Sequence, residues 1–191
     1  MFRHPKKKVL QMKHQHFYPA LSKLKGRVLE IGFGYGESLG YYSSNCKIFA
    51  LEKSDKKIKE QKNSLTAHKN VFFSKGEAES LPFEGGFFDA VAISFVLCSV
   101  NSLDMAMREI ERVLKPGGKL IFLEHVRSEN KVIGRLQDIL AKPYSRIAKN
   151  CHPNRNPILL LNNDIFDLSI KVKVPYILSK LVFAQAYKKE V

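Results

Sequence analysis

Residues 28–38 read VLEIGFGYGES, a short apolar run that ends in a glutamate and continues into three glycines separated by aromatic residues. Glycine at every second position indicates a sharp turn or the close approach of another group to the main chain. A strand that runs through a glycine-rich turn into a helix holds nucleotide-like cofactors in open α/β sheets. A glycine-rich loop without a ligand has the same sequence, so the stretch alone leaves both interpretations open.

The composition is that of one globular domain. The chain has 191 residues, of which 45% are hydrophobic, enough for a core. Its longest apolar run, residues 90–100, is too short for a bilayer, which needs about 20 residues, and the basic N-terminus has no apolar stretch typical of a secretory signal. Cys46, Cys98 and Cys151 are far apart along the chain and lack metal-ligand spacing. These features predict a cytoplasmic protein with reduced thiols and no metal site.

The net charge of +14 is unevenly distributed, because no acidic residue precedes Glu30. We therefore divide the chain into a basic N-terminal helical arm or lid, residues 1–24, and a single domain, residues 25–191. A basic arm could bind nucleic acid, an anionic membrane surface or an acidic substrate. A solvated, lysine-rich surface is an equally good interpretation. The sequence does not indicate an oligomeric state.

The alternation of apolar runs with polar, helix-like stretches predicts the fold. Strands are expected at residues 27–31, 47–51, 71–74, 89–94 and 119–124, and helices at 37–44, 56–67, 102–114 and 132–149. Short apolar strands separated by helices indicate a parallel, doubly wound sheet with helices on both faces. Residues 166–174 and 181–187 alternate apolar and polar side chains, which predicts an antiparallel hairpin at the sheet edge. The expected result is a seven-stranded, mostly parallel α/β sheet.

The glycine-rich turn favours a single nucleoside over a dinucleotide. Ligands of such sheets lie beyond the carboxyl ends of the strands, and Glu52, about 20 residues after Gly32, could accept hydrogen bonds from ribose hydroxyls. The dinucleotide-binding pattern requires a glycine or alanine three residues after Gly34, but Glu37 occupies that position. Gly36 comes one residue too early, so no pyrophosphate need be cradled.

The motifs together resemble a known family. VLEIGFGYG, FALEKS, KGEAESLPFEGGFFDAV and REIERVLKPGGKLIFLEH are similar to the successive motifs of class I S-adenosylmethionine-dependent methyltransferases, in the right order over roughly residues 25–126. Within that superfamily the chain resembles the ubiquinone and menaquinone C-methyltransferases. The segment that begins SFVLCSV, with the later KNCHPNR, is similar to the thiol S-methyltransferases of animals. Bacterial phospholipid N-methyltransferases share much of the pattern.

The resemblance implies a Rossmann-like fold, a methyltransferase activity and the cofactor S-adenosylmethionine, with S-adenosylhomocysteine as product. It also implies roles for matching residues. Glu30 would order the methionine ammonium, Glu52 the ribose hydroxyls and Glu77 the adenine amino group. The full set implied to bind the cofactor is Glu30, Gly32, Phe33, Gly34, Gly36, Glu52, Lys53, Gly76, Glu77, Ala78 and Ser94.

Methyl transfer needs a general base only when the nucleophile arrives protonated. Glu124 and His125 end the fifth predicted strand on the expected substrate side, and we take them as candidate catalytic residues, with His125 as base or orienting group. A histidine that only forms hydrogen bonds with the backbone at the strand end, without a catalytic role, would give the same sequence. Phe17 and Tyr18 are expected to close over the cofactor, and Tyr144 and Arg146 to form the other wall.

Such walls suit a small hydrophobic or anionic molecule or a lipid head group, and a small thiol is the favoured acceptor. The alternatives are phosphatidylethanolamine N-methylation and C-methylation of a quinone precursor. An RNA methyltransferase is disfavoured because no NPPY-type motif follows the fourth strand. A binding protein without activity is disfavoured by the intact motifs.

Overall fold

The computed structural model describes residues 5–64, 70–148, 150–161, 164–176 and 179–190, apart from the side chains at positions 5, 64, 170 and 171. Seven strands organise this part of the chain: β1 Gly26–Ile31, β2 Cys46–Glu52, β3 Val71–Lys75, β4 Phe88–Ser94, β5 Leu114–Val126, β6 Phe166–Tyr176 and β7 Ser179–Lys188. They form one sheet in the order β3-β2-β1-β4-β5-β7-β6. The first five strands are parallel, whereas β7 runs antiparallel to both β5 and β6.

Helical segments precede and connect the strands: α1 Pro5–Met12, α2 Tyr18–Leu21, α3 Asp55–Ser64, α4 Leu103–Val113 and α5 Lys131–Ile147. A π-helical turn, Lys13–Phe17, joins α1 to α2, and short 3-10 helices lie at Leu39–Tyr41 and Pro157–Leu160. Within the described residues, no helix combines the length and apolar character needed to cross a membrane.

The central strands are buried on both faces, as their near-continuous apolar sequences predict. Because successive side chains of a strand point to opposite faces, Leu29 and Ile31 of β1 pack in one buried cluster, while Val28 packs in another. The second cluster includes Phe17 and Leu21, so the N-terminal helices cover that face of the sheet. Glu30 lies between Leu29 and Ile31 in β1, so its side chain points to the opposite face of the sheet, toward the N-terminal helices.

The structure confirms the predicted α/β sheet, its five parallel strands and the antiparallel hairpin at the edge. The helix predicted at 37–44 is wrong, because this segment forms turns and only the short 3-10 helix Leu39–Tyr41. Its backbone bonds link Leu39 N–H to Gly36 O and Tyr41 N–H to Ser38 O, three residues apart. Glycine and serine favour such turns over a continuous helix. The end of the helix predicted at 56–67 and residue 149 lie outside the described residues.

The order of the strands in the sheet determines where the candidate site lies. Strand β1 has β2 on one side and β4 on the other, so the chain leaves β1 and β4 in opposite directions. A crevice opens at such a switch point, beyond the carboxyl ends of the two strands. The glycine-rich segment after β1 and the turn after β4 both lie there.

Candidate active site

A cavity of about 210 Å³ opens at the carboxyl ends of β1 and β4, and we call it the β1–β4 cavity. It is bounded on one side by the glycine-rich turn and on the other by the N-terminal helical segment. The residues that line it are Lys13, Phe17, Tyr18, Glu30, Gly32, Phe33, Gly34, Tyr35, Glu37, Ser38, Ser94 and Phe95. Of the residues predicted to bind the cofactor, Glu30, Gly32, Phe33, Gly34 and Ser94 are in this lining.

The glycines of the turn leave the backbone bare where side chains would not fit. Gly32, Gly34 and Gly36 have φ values of +71°, +61° and +72°, a region that side chains disfavour. A Cβ on Gly32 would also collide with the Val96 side chain. Glycine at position 32 is therefore required both by conformation and by space, and the backbone of the turn stays open toward the cavity.

Glu30 is the buried charged group of this cavity. The Ser38 hydroxyl donates a hydrogen bond to Glu30 Oε1, whereas Oε2 and the nearby buried Tyr42 hydroxyl form no bond of good geometry with the described residues. Burial raises the pKa of Glu30 to about 7, against the opposing effects of Ser38, Tyr42 and Lys13. A cationic ligand group could satisfy Oε2, because a buried carboxylate gains most from an opposite charge.

Glu52 connects this cavity to the ends of β2 and β3. Its Oε2 accepts a hydrogen bond from Gly34 N–H at 3.1 Å, and its Oε1 accepts from Lys53 N–H and Ser54 N–H at 3.1 and 3.2 Å. The carboxylate is thus held beside the glycine-rich turn. Gly76 N–H donates to Glu52 O at 3.3 Å, which brings the turn after β3 to the same edge.

The predicted cofactor residues therefore fall into two adjoining groups. One lines the β1–β4 cavity and supplies an unpartnered buried carboxylate oxygen, an unpartnered Ser94 hydroxyl and bare glycine backbone. The other lies at the ends of β2 and β3 outside that lining: Glu52, Lys53, Gly76, Glu77 and Ala78. Gly36 also lies outside the lining, within the turn. Glu30 Oε2 could accept the ammonium of S-adenosylmethionine. Glu52 already accepts from three backbone N–H groups and from Lys57 Nζ, and its contact with the ribose diol stays a prediction.

A second cavity of about 110 Å³ lies between β5, α5 and the C-terminal hairpin, and we call it the β5–α5 cavity. Its walls are mainly apolar. The residues that line it are His125, Gln137, Leu140, Tyr144, Cys151, Pro153, Tyr176 and Ser179. His125 Nε2 is buried without a hydrogen-bond partner among the described residues, although the His125 residue itself is part of the cavity lining.

Phe95 joins the two cavities. It lines the β1–β4 cavity, and its ring centroid lies 4.8 Å from that of His125, which lines the other. His125 stacks in turn on Tyr176 at 5.0 Å. Phe95 has a φ of +57°, which is costly for a side chain of this size. Such an outlier at the junction of two cavities indicates a functional constraint on this turn.

Glu124 occupies a different position from the one expected of a catalytic group. It is fully buried and lines neither cavity. Its Oε1 accepts hydrogen bonds from Val96 N–H and Leu97 N–H at 2.7 and 2.8 Å, which fixes the turn after β4. Burial raises the pKa of Glu124 well above its ordinary value. This position supports a structural role in holding Phe95's neighbours, not contact with a methyl acceptor.

Two cysteines and His125 converge, although they are far apart in sequence. Ligand atoms of Cys98, His125 and Cys151 all lie within 4.8 Å of one another. His152 N–H donates to Cys98 O at 2.7 Å, which brings the segment after α5 onto the turn after β4. Sulfur and imidazole donors suit Zn²⁺. The sequence, in which these residues lack metal-ligand spacing, predicted no metal site, and the structure brings together donor types that could hold one.

The three thiols should differ in reactivity. A hydrogen bond donated by Cys98 lowers the pKa of Cys151, and the same bond, with burial, raises the pKa of Cys98 to about 12. Burial raises the pKa of Cys46. Because the thiolate is the reactive form, we expect iodoacetamide at pH 7.5 to modify Cys151 at least about tenfold faster than Cys46 or Cys98. Peptide mass spectrometry over time measures this, and earlier labelling of Cys46 would contradict it.

The residues predicted as walls of the substrate site are divided between the cavities. Phe17 and Tyr18 are buried and line the β1–β4 cavity, where Tyr18 stacks on Tyr41 at 3.8 Å. Tyr144 lines the β5–α5 cavity. Arg146 is exposed on α5 and lines neither cavity, so its position does not support the predicted contact.

Several lining residues were not foreseen from the sequence. In the β1–β4 cavity these include Lys13, Ser38 and Phe95, and in the β5–α5 cavity Cys151 and Tyr176. Cys151 lies in KNCHPNR, which contributed to the resemblance to thiol S-methyltransferases, but the sequence indicated no contact for it. The others reach the site through turns whose conformation the sequence does not specify.

Comparison with known proteins agrees with this geometry. Residues 29–122 match a family described as a methyltransferase domain. The C-methyltransferase UbiE of Hahella chejuensis, which acts in ubiquinone and menaquinone biosynthesis, is 33% identical over 119 residues, 59% of this chain and 48% of the relative. The thiol S-methyltransferase TMT1B of Rattus norvegicus is 28% identical over 158 residues, 78% of this chain and 65% of the relative. The chain thus spans about half to two thirds of the length of these relatives.

Solved structures share the fold at low sequence identity. The YcgJ protein of Bacillus subtilis superposes with a TM-score of 0.78 and 16% identity, over 97% of this chain and 100% of that one. Fold, glycine-rich turn and family match together define a methyltransferase domain. Residues 29–122 are thus similar to the methyltransferase domain of class I S-adenosylmethionine-dependent methyltransferases, whose methyl donor is S-adenosylmethionine.

Proposed function

We propose that this chain transfers a methyl group from S-adenosylmethionine to the thiol of a small, mainly apolar molecule. The observation that carries the proposal is the β5–α5 cavity, whose walls are mainly apolar and whose lining includes His125 and the half-buried Cys151. Contact between His125 and Phe95 brings this cavity against the one that fits the cofactor. Similarity to a thiol S-methyltransferase supports the same acceptor.

The cofactor, when bound, supplies an activated methyl group on a sulfonium, so the protein has mainly to position the acceptor. Glu30 and Glu52 would hold the donor at the ends of β1 and β2. The apolar walls around Tyr144 and Tyr176 would bind the acceptor and exclude water. His125 Nε2 would accept the thiol proton, because a thiol with an ordinary pKa of about 8.5 is mostly protonated at neutral pH.

The cofactor assignment gives a first quantitative prediction. Replacing Glu52 with alanine should weaken the binding of S-adenosylmethionine and S-adenosylhomocysteine by about 1.5–3 kcal/mol, the value of hydrogen bonds to a charged group. Asp55→Ala, which removes a neighbouring carboxylate that is exposed and paired with Lys75, is the matched control and should leave affinity unchanged. Isothermal titration calorimetry measures both variants. Undiminished affinity in Glu52→Ala would contradict the assignment, as would binding of a nicotinamide dinucleotide.

The acceptor is tested by a direct screen. Protein and S-adenosylmethionine with a labelled methyl group are incubated with alkyl and aryl thiols, phosphatidylethanolamine, quinol precursors and RNA, and products are identified by mass spectrometry. Transfer to thiols is the expected result. Transfer only to phosphatidylethanolamine, a quinol or RNA, or no transfer to any acceptor, would overturn the thiol proposal.

The second candidate is C-methylation of a quinone precursor, which the similarity to UbiE and to a mitochondrial benzoquinol methylase of Bos taurus favours. The mainly apolar β5–α5 cavity would also accept an aromatic ring beside Tyr144 and Tyr176. The two candidates differ in how the acceptor fills the cavity: a thiol needs only one polar group, whereas a quinol needs partners for two oxygens. Among the lining residues, the Ser179 hydroxyl could be the second partner, and Ser179→Ala should impair quinol transfer more than thiol transfer.

A further inference from the structure

Helix α5 is packed with its small and polar residues toward the protein. Gly134, Gln137 and Ala141 are its buried positions. Gln137 Nε2 donates to Pro153 O at 2.8 Å, and its Oε1 accepts from Ser128 N–H at 2.8 Å. A surface helix normally buries its large apolar side chains instead. The inner face of α5 is therefore held by hydrogen bonds and close backbone packing.

The large apolar side chains of α5 lie on the opposite, exposed face. Val132, Ile139 and Ile147 are 77%, 73% and 83% exposed. We call the whole set the α5 apolar face: Val132, Leu136, Ile139, Leu140, Tyr144 and Ile147. Their spacing of three, four and seven residues places them along one side of the helix. A contiguous apolar stripe of this kind on a protein surface marks an interaction site.

Basic side chains flank this face. Lys131, Arg135, Lys142 and Arg146 are all exposed on α5 and form no ion pair with the described residues. The one acidic residue of the helix, Asp138, is paired with Arg127 at 2.7 Å and accepts from Asn154 at 3.2 Å. With the net charge of +14, the surroundings of the face are complementary to an anionic partner.

We propose that the α5 apolar face binds an anionic lipid membrane, with the helix lying in the plane of the interface. An amphipathic helix with apolar side chains on one side and lysine or arginine beside them binds in this way. Leu140 and Tyr144 belong to this face and also line the β5–α5 cavity. An apolar acceptor dissolved in the bilayer would thus enter the cavity from the membrane, a second claim that rests on the proposed function.

The basic N-terminal arm, for which the sequence left membrane binding open as one of several alternatives, is less suited to it. Leu10 is the exposed large hydrophobic residue of α1 in the described part of the chain. Lys8 Nζ donates to Pro175 O at 2.9 Å, and Lys13 pairs with Glu37 at 2.8 Å. Some of the lysines of the arm therefore form hydrogen bonds or ion pairs within the protein. The basic residues of α5 form no ion pair with the described residues.

Tryptophan fluorescence distinguishes the two surfaces, because the chain contains no tryptophan. Ile139→Trp places a single reporter on α5, and Leu10→Trp places one on α1 at a similarly exposed position. With vesicles of phosphatidylcholine and phosphatidylserine, without cofactor or acceptor, emission of Ile139→Trp should shift to shorter wavelength and that of Leu10→Trp should not. With vesicles of phosphatidylcholine alone, or at high salt, the shift should weaken strongly.

Vesicle co-sedimentation tests the same face by loss of binding. The double variant Ile139→Glu/Ile147→Glu and the double variant Arg135→Gln/Arg146→Gln should each bind anionic vesicles at least about tenfold more weakly. The edge-strand variant Phe72→Glu, at another exposed apolar residue, is the control and should bind normally. Thermal unfolding verifies that each variant is folded.

The access route is tested separately. Vesicles should lower the KM for a long-chain alkyl thiol but not for a short, water-soluble one, and the Ile139→Glu/Ile147→Glu variant should lose this effect. A fluorescence shift in Leu10→Trp alone, no vesicle binding, or self-association abolished by Ile139→Glu would overturn membrane docking by α5. Vesicle binding without turnover of any thiol would contradict the proposed acceptor while supporting the docking surface.

Discussion

Replacement of His125 with asparagine should lower the rate of methyl transfer to an alkyl thiol at pH 7 by about 10²–10⁴-fold, the usual contribution of a general base. The imidazole is held between Phe95 and Tyr176, and its buried Nε2 has no other described partner. Asparagine keeps a polar side chain of similar reach but cannot accept the thiol proton as a base. Steady-state kinetics with S-adenosylmethionine and a series of thiols measures the effect.

The pH dependence separates proton transfer from simple positioning. If His125 removes the proton, the variant should recover as pH rises past about 8.5, where the thiol ionises in water. Affinity for S-adenosylmethionine should not change, because His125 lies outside the β1–β4 cavity. His16→Asn is the matched control, since His16 also stacks on an aromatic ring, Phe183, but lines neither cavity. Full turnover by His125→Asn at pH 7 would exclude the role of base.

Replacement of Glu30 with glutamine should remove a pH dependence of cofactor binding. Because the pKa of Glu30 is about 7, its carboxyl is mostly protonated below neutral pH. If the methionine ammonium binds the ionised form, affinity for S-adenosylmethionine should rise by up to about tenfold per pH unit as the pH approaches 7. Calorimetry between pH 5.5 and 7 should show this slope in the parent protein and none in Glu30→Gln. A slope retained by the variant would contradict the assignment.

The pH dependence of the stability of the cofactor-free protein also tests Glu30. Here ionisation of the carboxyl should lower the free energy of unfolding, whereas it should raise the affinity for the cofactor. Folding raises the pKa of Glu30 from 4.5 to about 7, so the folded chain holds this proton more strongly than the unfolded chain does. Its contribution to stability is present below pH 4.5 and is lost as pH rises to about 7, by an amount on the order of 3 kcal/mol. Glu30→Gln should lose this decline, whereas Glu60→Gln, at an exposed position of α3, should retain it.

The sequence predicted the sheet well because its signals are local and repeated. Apolar strands such as β1 and β4 are bounded by glycine or polar residues, and α4 has the helical spacing of Met107 and Ile110 that packs it on the sheet. Sequence alternation predicted the hairpin of β6 and β7, but only β6 is the edge strand, and Leu181 to Ala184 of the interior strand β7 are all buried. The parallel sheet also brings the strand ends that carry Glu30, Gly32 and Glu52 together, as expected, and their contact with the cofactor stays a prediction.

The lining of the β5–α5 cavity was harder to predict, because contacts between segments far apart in the sequence bring its residues together. Nothing in the sequence indicates that Cys151 reaches Cys98 and His125, since the contact depends on how the segment after α5 crosses the turn after β4. The left-handed conformation of Phe95 is likewise invisible, because phenylalanine has no preference for it. Residues 37–44 were mistaken for a helix because the bond from Ser38 to Glu30 belongs to the tertiary structure.

The two cavities draw on separate halves of the chain. The β1–β4 cavity is lined by residues between Lys13 and Phe95, and the β5–α5 cavity by residues between His125 and Ser179. The family match, residues 29–122, ends just before the second half begins. If the β1–β4 cavity holds the methyl donor and the β5–α5 cavity the acceptor, as proposed, the residues that select the acceptor lie outside the family match. A chimera that grafts a relative's C-terminal segment after Val126 should exchange acceptor preference and keep the parental affinity for S-adenosylmethionine.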